Sequence, residues 1–359
     1  MIRLTPCALL ALAACSSEPE RNQTAAIPAA PPAFAPAEVA ATPTPAPAPG
    51  VKPRPGELKT FGDWIVGCDN TLRCELRSLG TENEPPGDVT LSVARDAGPA
   101  GKLEVTVDGF EDAEVATAVD GKRAGTPAQI VAAMANGRVF SALSAGKTIA
   151  TLSLRGASAA LRYVDAAQGR AGTVTASVAK GLKPASAVPA APTPPTISAV
   201  RPGGDAVRPT AAQLADMRRT AQCDADAFAS DSLGDPQAHA LGGGETLVLL
   251  PCSAGAYNLL SAVFVLDGGA PRPVRTDAPV GFDETGGASR GPVPTVVNGD
   301  WKAGVLTSYA KARGLGDCGV YQDFVWDGER LRLSGQREMG ECRGNIVYIT
   351  TWRANVVRR

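Results

Sequence analysis

Two carboxylates beside a pair of cysteines are the chain's nearest approach to catalytic chemistry. Asp317 precedes Cys318 and Glu341 precedes Cys342, with Arg343 following. A bridge between these cysteines would bring the acids near each other, as acid–base or glycosidase chemistry requires. Carboxylates next to a bridge are far commoner as plain surface groups, so this arrangement reads as polar neighbours of a disulfide before it reads as an active site. Cys318 lies in a glycine-rich turn with Lys311 and Arg313 close in sequence, and cations of that kind favour a thiolate. No base supports a nucleophile there. His239 is the single histidine, a Cys/His pair would have to use it, and Cys342 offers Cys318 a disulfide instead. Without a C-x-x-C pair and with one histidine, no metal and no cofactor are expected. Gly242-Gly243-Gly244 would cradle a phosphate only ahead of a helix, whereas Glu245 to Leu250 reads as a strand, so the glycines are expected to turn the chain. Trp64, Trp301, Trp326 and Trp352 offer a stacking platform for sugars or a partner, yet tryptophans in the strands of small domains mostly supply core area. His239 reads as a loop residue near the start of a strand, not a ligand.

Location is written more plainly than chemistry. Leu12-Ala13-Ala14-Cys15 ends a short apolar run, Cys7 to Ala14, that follows Arg3. Such a run is too short to span a bilayer, and small residues leading directly into cysteine form the pattern of a bacterial lipoprotein signal. The expectation is a signal peptide over 1–14, cleavage before Cys15 and lipidation of its thiol. The protein would then sit in the cell envelope, anchored to the outer membrane on its periplasmic face. No second apolar stretch is long enough to cross, so the acyl chains would be the sole attachment. Loss of Cys7 with the signal and use of Cys15 as anchor leave Cys68, Cys74, Cys223, Cys252, Cys318 and Cys342 of the eight cysteines. In an oxidising compartment an even set reads as disulfides. Spacing does not choose the connectivity; pairing of each cysteine with its next neighbour is the expectation.

The chain has 359 residues, a formal net charge of -1 and a hydrophobic fraction of 44%, enough to build two ordinary domains. No block of Lys or Arg offers the cationic face that counterion release from nucleic acid needs, so no nucleic-acid partner is expected. Residues 15–57 read as the lipid anchor and a disordered spacer of polyproline character, dominated from Pro19 to about Pro55 by Ala, Pro and Thr; that stretch could reach roughly 100 Å at ~3.1 Å per residue. A second Pro-rich stretch, 183–209, reads as a linker between an N-terminal domain at 58–182 and a C-terminal domain at 210–359. In the first, strands are expected at Phe61 to Gly67 and Leu72 to Leu79, with Asp69-Asn70-Thr71 turning Cys68 opposite Cys74, and then at Val89 to Arg95 and Leu103 to Val107. Thr126-Pro127 caps a helix that Asn136-Gly137 closes. A strand at Ile149 to Leu154, a helix at Ala157 to Gln168 and a strand at Thr173 to Val178 follow. The second domain opens with a helix at Ala211 to Thr220. Strands are then expected at Thr246 to Leu250, Ala262 to Leu266, Gly304 to Tyr309, Tyr321 to Trp326, Leu331 to Leu333 and Ile346 to Arg353, with Asp327-Gly328 as a hairpin turn. The fold class is thus α+β and mainly β: a sheet with two helices, then an antiparallel meander with an N-terminal helix.

The strings Leu247-Val248-Leu249-Leu250-Pro251-Cys252, Gly255-Ala256-Tyr257-Asn258, Lys311 to Gly319, Trp326-Asp327-Gly328 and Glu341-Cys342-Arg343-Gly344 resemble the bacterial family called domain of unknown function 1176. Asp165-Ala166-Ala167-Gln168-Gly169-Arg170 fits it too, and the resemblance runs from about Lys59 to the end. Phe61-Gly62-Asp63-Trp64 with Cys68 and Cys74 is also similar to the start of invasion-associated locus B proteins. Membership implies an exported protein with no established activity and carries over no catalytic residue. Two functions remain open on sequence. One is a tethered binding or accessory module whose partner is an envelope protein or peptidoglycan. The other is an envelope hydrolase using Asp317 and Glu341. A cleft in which these acids converge with Arg343 would favour the enzyme; an aromatic-lined face would favour the binder.

Overall fold

The first sheet grows from the hairpin that carries the first cysteine pair. In the computed structural model, which describes residues 52–81, 89–110, 115–223, 233–283 and 291–359, strands β1 (Leu58–Phe61), β2 (Trp64–Cys68), β3 (Cys74–Ser78), β4 (Thr90–Arg95) and β5 (Leu103–Asp108) form an antiparallel meander. The run from Phe61 to Gly67 is two strands, not one: the chain turns at Gly62-Asp63 so that Phe61 pairs with Trp64. Cys68 stands opposite Cys74 and is bonded to it. Side chains alternate across a strand, and here both faces are covered. Trp64, Val66, Leu76 and Leu91 enter one apolar cluster, while Ile65 joins another with Cys318, Met339 and Ile349.

The first of those clusters is closed by β6 (Ala116–Val119), β7 (Lys122–Arg123), α1 (Pro127–Met134), β8 (Val139–Ser144), β9 (Lys147–Ser153) and α2 (Ala157–Ala167). The four strands form a sheet of order β7-β6-β8-β9. Thr126 caps α1 in a capping box with Gln129, and Ile130, Val131 and Met134 are its buried face. The expected strand from Thr173 to Val178 does not form. The Asp165 carboxylate accepts the amide N–H groups of Ser177, Val178 and Ala179 at 2.7, 2.8 and 3.0 Å, which removes them from any ladder. An isolated bridge from Thr173 to Lys183 is the pairing that remains.

Residues 183–209 do more than connect. Val188 is buried, and β10 (Thr196–Ala199) buries Ile197 and Ala199. α3 (Ala211–Ala221) follows, capped by Thr210 with Gln213. Next come β11 (Gln237–Gly242), β12 (Glu245–Ala254), β13 (Leu259–Leu266), β14 (Arg272–Pro273) and β15 (Thr295–Val297) in one sheet. A second antiparallel sheet runs β16 (Asp300–Lys302), β17 (Val305–Lys311), β18 (Gly319–Trp326), β19 (Leu331–Met339) and β20 (Ile349–Arg353) in sequence order. Finally β21 (Asn355–Arg358) returns to pair in parallel with β10. The uninterrupted apolar run of β12 follows from burial on both faces. Leu247 and Leu249 pack with Leu306, Phe324, Trp326 and Leu333 of the second sheet, and Val248 and Leu250 pack with Met217 and Ala221 of α3. His239 lies within β11, not in a loop, because the strand begins two residues earlier. Cys223 is bonded to Cys252 and Cys318 to Cys342.

Among the described residues no helix is long and apolar enough to cross a membrane. The expected signal peptide at 1–14, the expected lipidation site Cys15 and the expected spacer up to residue 51 lie outside the described residues.

Candidate functional site

Asp317 and Glu341 flank the Cys318–Cys342 bridge, but the fold gives them different partners. Asp317 is fully buried: Arg313 Nε donates to Oδ1 at 2.7 Å and the Gly344 amide donates to Oδ2 at 2.7 Å. Hydrogen bonding from Arg313 holds its carboxyl below the ordinary value. A general acid needs the opposite shift. Glu341 accepts instead from the Thr60 hydroxyl at 2.8 Å. It lines a polar pocket of about 630 Å³ with Asp63, Arg155 and Arg343, and Asp317 is not part of that lining.

Arg343, the third member of the sequence constellation, is a tie between the two halves of the chain. Its Nε donates to the Gly80 carbonyl at 2.8 Å, Nη1 to the Gly62 carbonyl at 2.9 Å and Nη2 to Asp63 Oδ1 at 2.8 Å. Arg155 brackets the same Asp63 carboxylate at 2.7 and 3.1 Å, and the paired guanidinium groups hold it far below the usual carboxylate range. Asn345 donates to the Ser78 carbonyl at 2.7 Å. The string from Glu341 to Asn345 therefore works as a clasp on the first sheet.

The remaining candidates, Trp352 apart, have structural surroundings. The Cys318 thiol is oxidised and buried. Gly242, Gly243 and Gly244 all have positive φ and turn β11 into β12. Trp64 and Trp326 are core residues whose indole N–H groups donate to the Ser153 carbonyl and Glu245. Trp301 and Trp352 are half-buried against the same core as Trp326. The His239 ring lies 6.4 Å from that of Trp301, and burial pushes its imidazole pKa down. No group of three or more His, Cys, Asp or Glu side chains able to hold a metal occurs among the described residues.

Two features emerge that residue spacing did not announce. The first is a cleft of about 710 Å³ between the Pro-rich segment at 193–198, Asn70, the β18–β19 turn at 327–329, Arg332 and Trp352. Arg332 is held in it by Asp277 and, at 3.3 Å, by Asp327. Along one wall runs the outer edge of β10. Asn355 and Arg359 donate to the carbonyls of Pro195 and Ala199, and Arg201 donates to Arg359, so the odd-numbered residues face β21. Val200 donates the other way, to Trp326. Successive peptide groups of a strand alternate, so the N–H and C=O of Thr196 and Ser198 point with Val200, away from β21. Both residues are exposed and line the cleft, and no third strand joins this sheet among the described residues.

The second feature is a rung of aromatic and basic side chains on the outer face of β17–β19. Tyr309 stands opposite Tyr321, and Tyr321 opposite Arg337. A sequence that alternates as Thr307, Tyr309 and Lys311 against Leu306, Ser308 and Ala310 contains this signal, because the first set is the less buried one.

The sequence profile of a family described as "Protein of unknown function (DUF1176)" matches residues 58–357. The chain belongs to this family. The protein named "Uncharacterized protein YpfG" of Escherichia coli K12 is 28% identical to this chain over 333 residues, which cover 82% of this chain and 92% of that protein. No solved structure matches. The match takes in the hairpin from Phe61 to Cys74, the clasp, the Asp165 network and the Cys318 loop.

Proposed function

We propose that this DUF1176 protein is an envelope lipoprotein that binds an extended polypeptide segment by strand addition in the cleft beside β10. The observation that carries the reading is the open backbone edge of Thr196 and Ser198 inside a concave site. Unpaired strand N–H and C=O groups are a template for another strand. An added strand gains main-chain hydrogen bonds along the edge and places alternate side chains in the cleft, where Trp352 supplies an amphipathic wall. A volume of about 710 Å³ is within the range of ligand sites. The acids that a hydrolase would use are engaged elsewhere, Asp317 by Arg313 and Glu341 by Thr60.

Panning a random peptide library against the full chain tests this. Selected peptides are expected to bind the native protein and to lose about tenfold or more in affinity for Ser198→Pro, one or two hydrogen bonds being at stake. Proline at 198 deletes an N–H that faces the cleft and leaves the ladder to β21 in place. Peptides that bind Ser198→Pro as well as the native protein would count against strand addition. Anchorage rests on Cys15. Incorporation of a labelled fatty acid should disappear in Cys15→Ser, and label that persists would remove the lipoprotein part of the reading.

A further inference from the structure

Three of the chain's five tyrosines hold one loop and a fourth, Tyr321, packs against one of them, away from the β10 cleft. Tyr257 donates to the Ala312 carbonyl at 3.0 Å, and Tyr309 and Tyr348 both donate to the Gly316 carbonyl, at 2.8 and 3.1 Å. Gly316 has φ of 69°, and a β-carbon there would lie 2.9 Å from the Tyr309 hydroxyl, so the loop needs glycine to be gripped this way. The Tyr309 and Tyr348 hydroxyls are thus occupied with the loop, while their rings join that of Tyr321 in a surface. Tyr309 and Tyr321 lie 5.6 Å apart between centroids, and Tyr348 meets Tyr309 edge-on at 5.9 Å. With Arg337, Ile346 and Val347 they line a depression of about 400 Å³.

Cations sit on these rings. The Arg337 guanidinium lies 4.2 Å from the Tyr321 centroid, and Lys311 Nζ lies 5.3 Å from that of Tyr309. Among the described residues, the ion pair of Arg337 is a long one, 3.5 Å to Asp323, made by one nitrogen of a half-exposed guanidinium that has five donors. Lys311 has no ion pair among the described residues. A shallow depression of aromatic rings suits the C–H faces of sugars, and a ring-stacked guanidinium beside it suits a carboxylate taken in a bidentate fashion. Aromatic rings alone would fit any apolar ligand. The two cations select an anionic one by charge complementarity.

We propose that the outer face of β17–β19 around Tyr309, Tyr321, Tyr348, Lys311 and Arg337 is a binding site for a glycan whose attached peptides bear carboxylates, as in peptidoglycan. This site is separate from the β10 cleft and does not depend on it.

Co-sedimentation of the full chain, in detergent, with purified peptidoglycan sacculi tests the proposal. The native protein should be retained, and amidation of the sacculus carboxylates should reduce retention about tenfold, the scale of one lost charge-assisted contact. Arg337→Gln and Tyr321→Ala should reduce it to a similar extent. Tyr321→Phe keeps the ring and should be retained like the native protein, which separates stacking from loss of fold. Ser198→Pro should be retained fully. No retention of the native protein, retention indifferent to amidation and to Arg337→Gln, or equal retention of Tyr321→Ala would overturn it. So would equal binding to a single-stranded oligonucleotide, whose phosphates and bases offer the same two chemistries.

Discussion

Asp317 and Glu341 differ only by a few residues of context, yet removing each charge should have a different cost. Asp317 has no exposure and answers a guanidinium and a backbone amide. Asp317→Asn would remove the buried charge that Arg313 and the Gly344 amide hold in place, a loss of roughly 1–3 kcal/mol on the scale of charge-assisted hydrogen bonds. Glu341 is half-exposed and accepts one hydroxyl, so Glu341→Gln should change stability by no more than about 0.5 kcal/mol. Urea unfolding of the two variants measures this, and equal midpoints would contradict the assignment of Asp317 to the fold. The adjacency of each acid to its cysteine was plain in the sequence. What the sequence did not contain was the direction of each side chain, because Arg313 is four residues away and Thr60 is in the first sheet.

At the scale of elements, the Asp165-to-Arg170 string explains why a helix, a loop and a sheet keep one arrangement. Asp165 gathers three amides of the loop after α2. Gln168 donates to the carbonyls of Leu72 and Arg95 at 2.7 and 2.8 Å, and Arg170 donates to Gln168 and to the carbonyls of Asp96 and Gly98. All three side chains are buried, so each unmade bond would cost the desolvation of its group. Asp165→Ala should therefore lower stability by about 2–4 kcal/mol and speed hydrogen exchange at Ser177, Val178 and Ala179. Protection of those amides unchanged in the variant would show that the loop holds itself. The same network marks where sequence reading stopped. Helices with caps, such as α1 at Thr126, and strands with alternating large side chains, such as β4 and β17, are legible locally. Thr173 to Val178 has the composition of a strand, but a carboxylate from α2 took its amides. Short strands such as β6 and β8, rich in Ala, Thr and Ser, owe their form to tertiary pairing and carry little periodic signal. The pairing of β10 with β21 joins residues more than a hundred positions apart, and no local pattern in the Pro-rich segment foretells it.

Across the whole molecule, cores lie on either side of the Pro-rich segment, and a third cluster draws Ile65 and Leu79 of the first half together with Cys318, Met339 and Ile349 of the second. Among the polar contacts at this junction, Asp63 of the first half takes Arg343 of the second, and Asp317 fixes the Gly344 end of the same clasp through its amide. Both carboxyl groups are held below their ordinary value of 3.8, Asp63 strongly, by hydrogen bonds from arginine. A carboxylate with a depressed folded pKa gives stability that is fully present above its unfolded value and is lost as pH falls through the folded one. Stability should therefore hold near neutrality and decline below about pH 4, continuing toward about pH 2 as the junction carboxylates take up protons. Asp63→Asn removes one of these protonation sites, so it should be less stable than the native protein at neutral pH and lose less on acidification. Urea midpoints across that pH range make the comparison. A variant with the native slope would place the acid sensitivity elsewhere in the molecule and deny the Arg343 clasp its share in holding the two halves together.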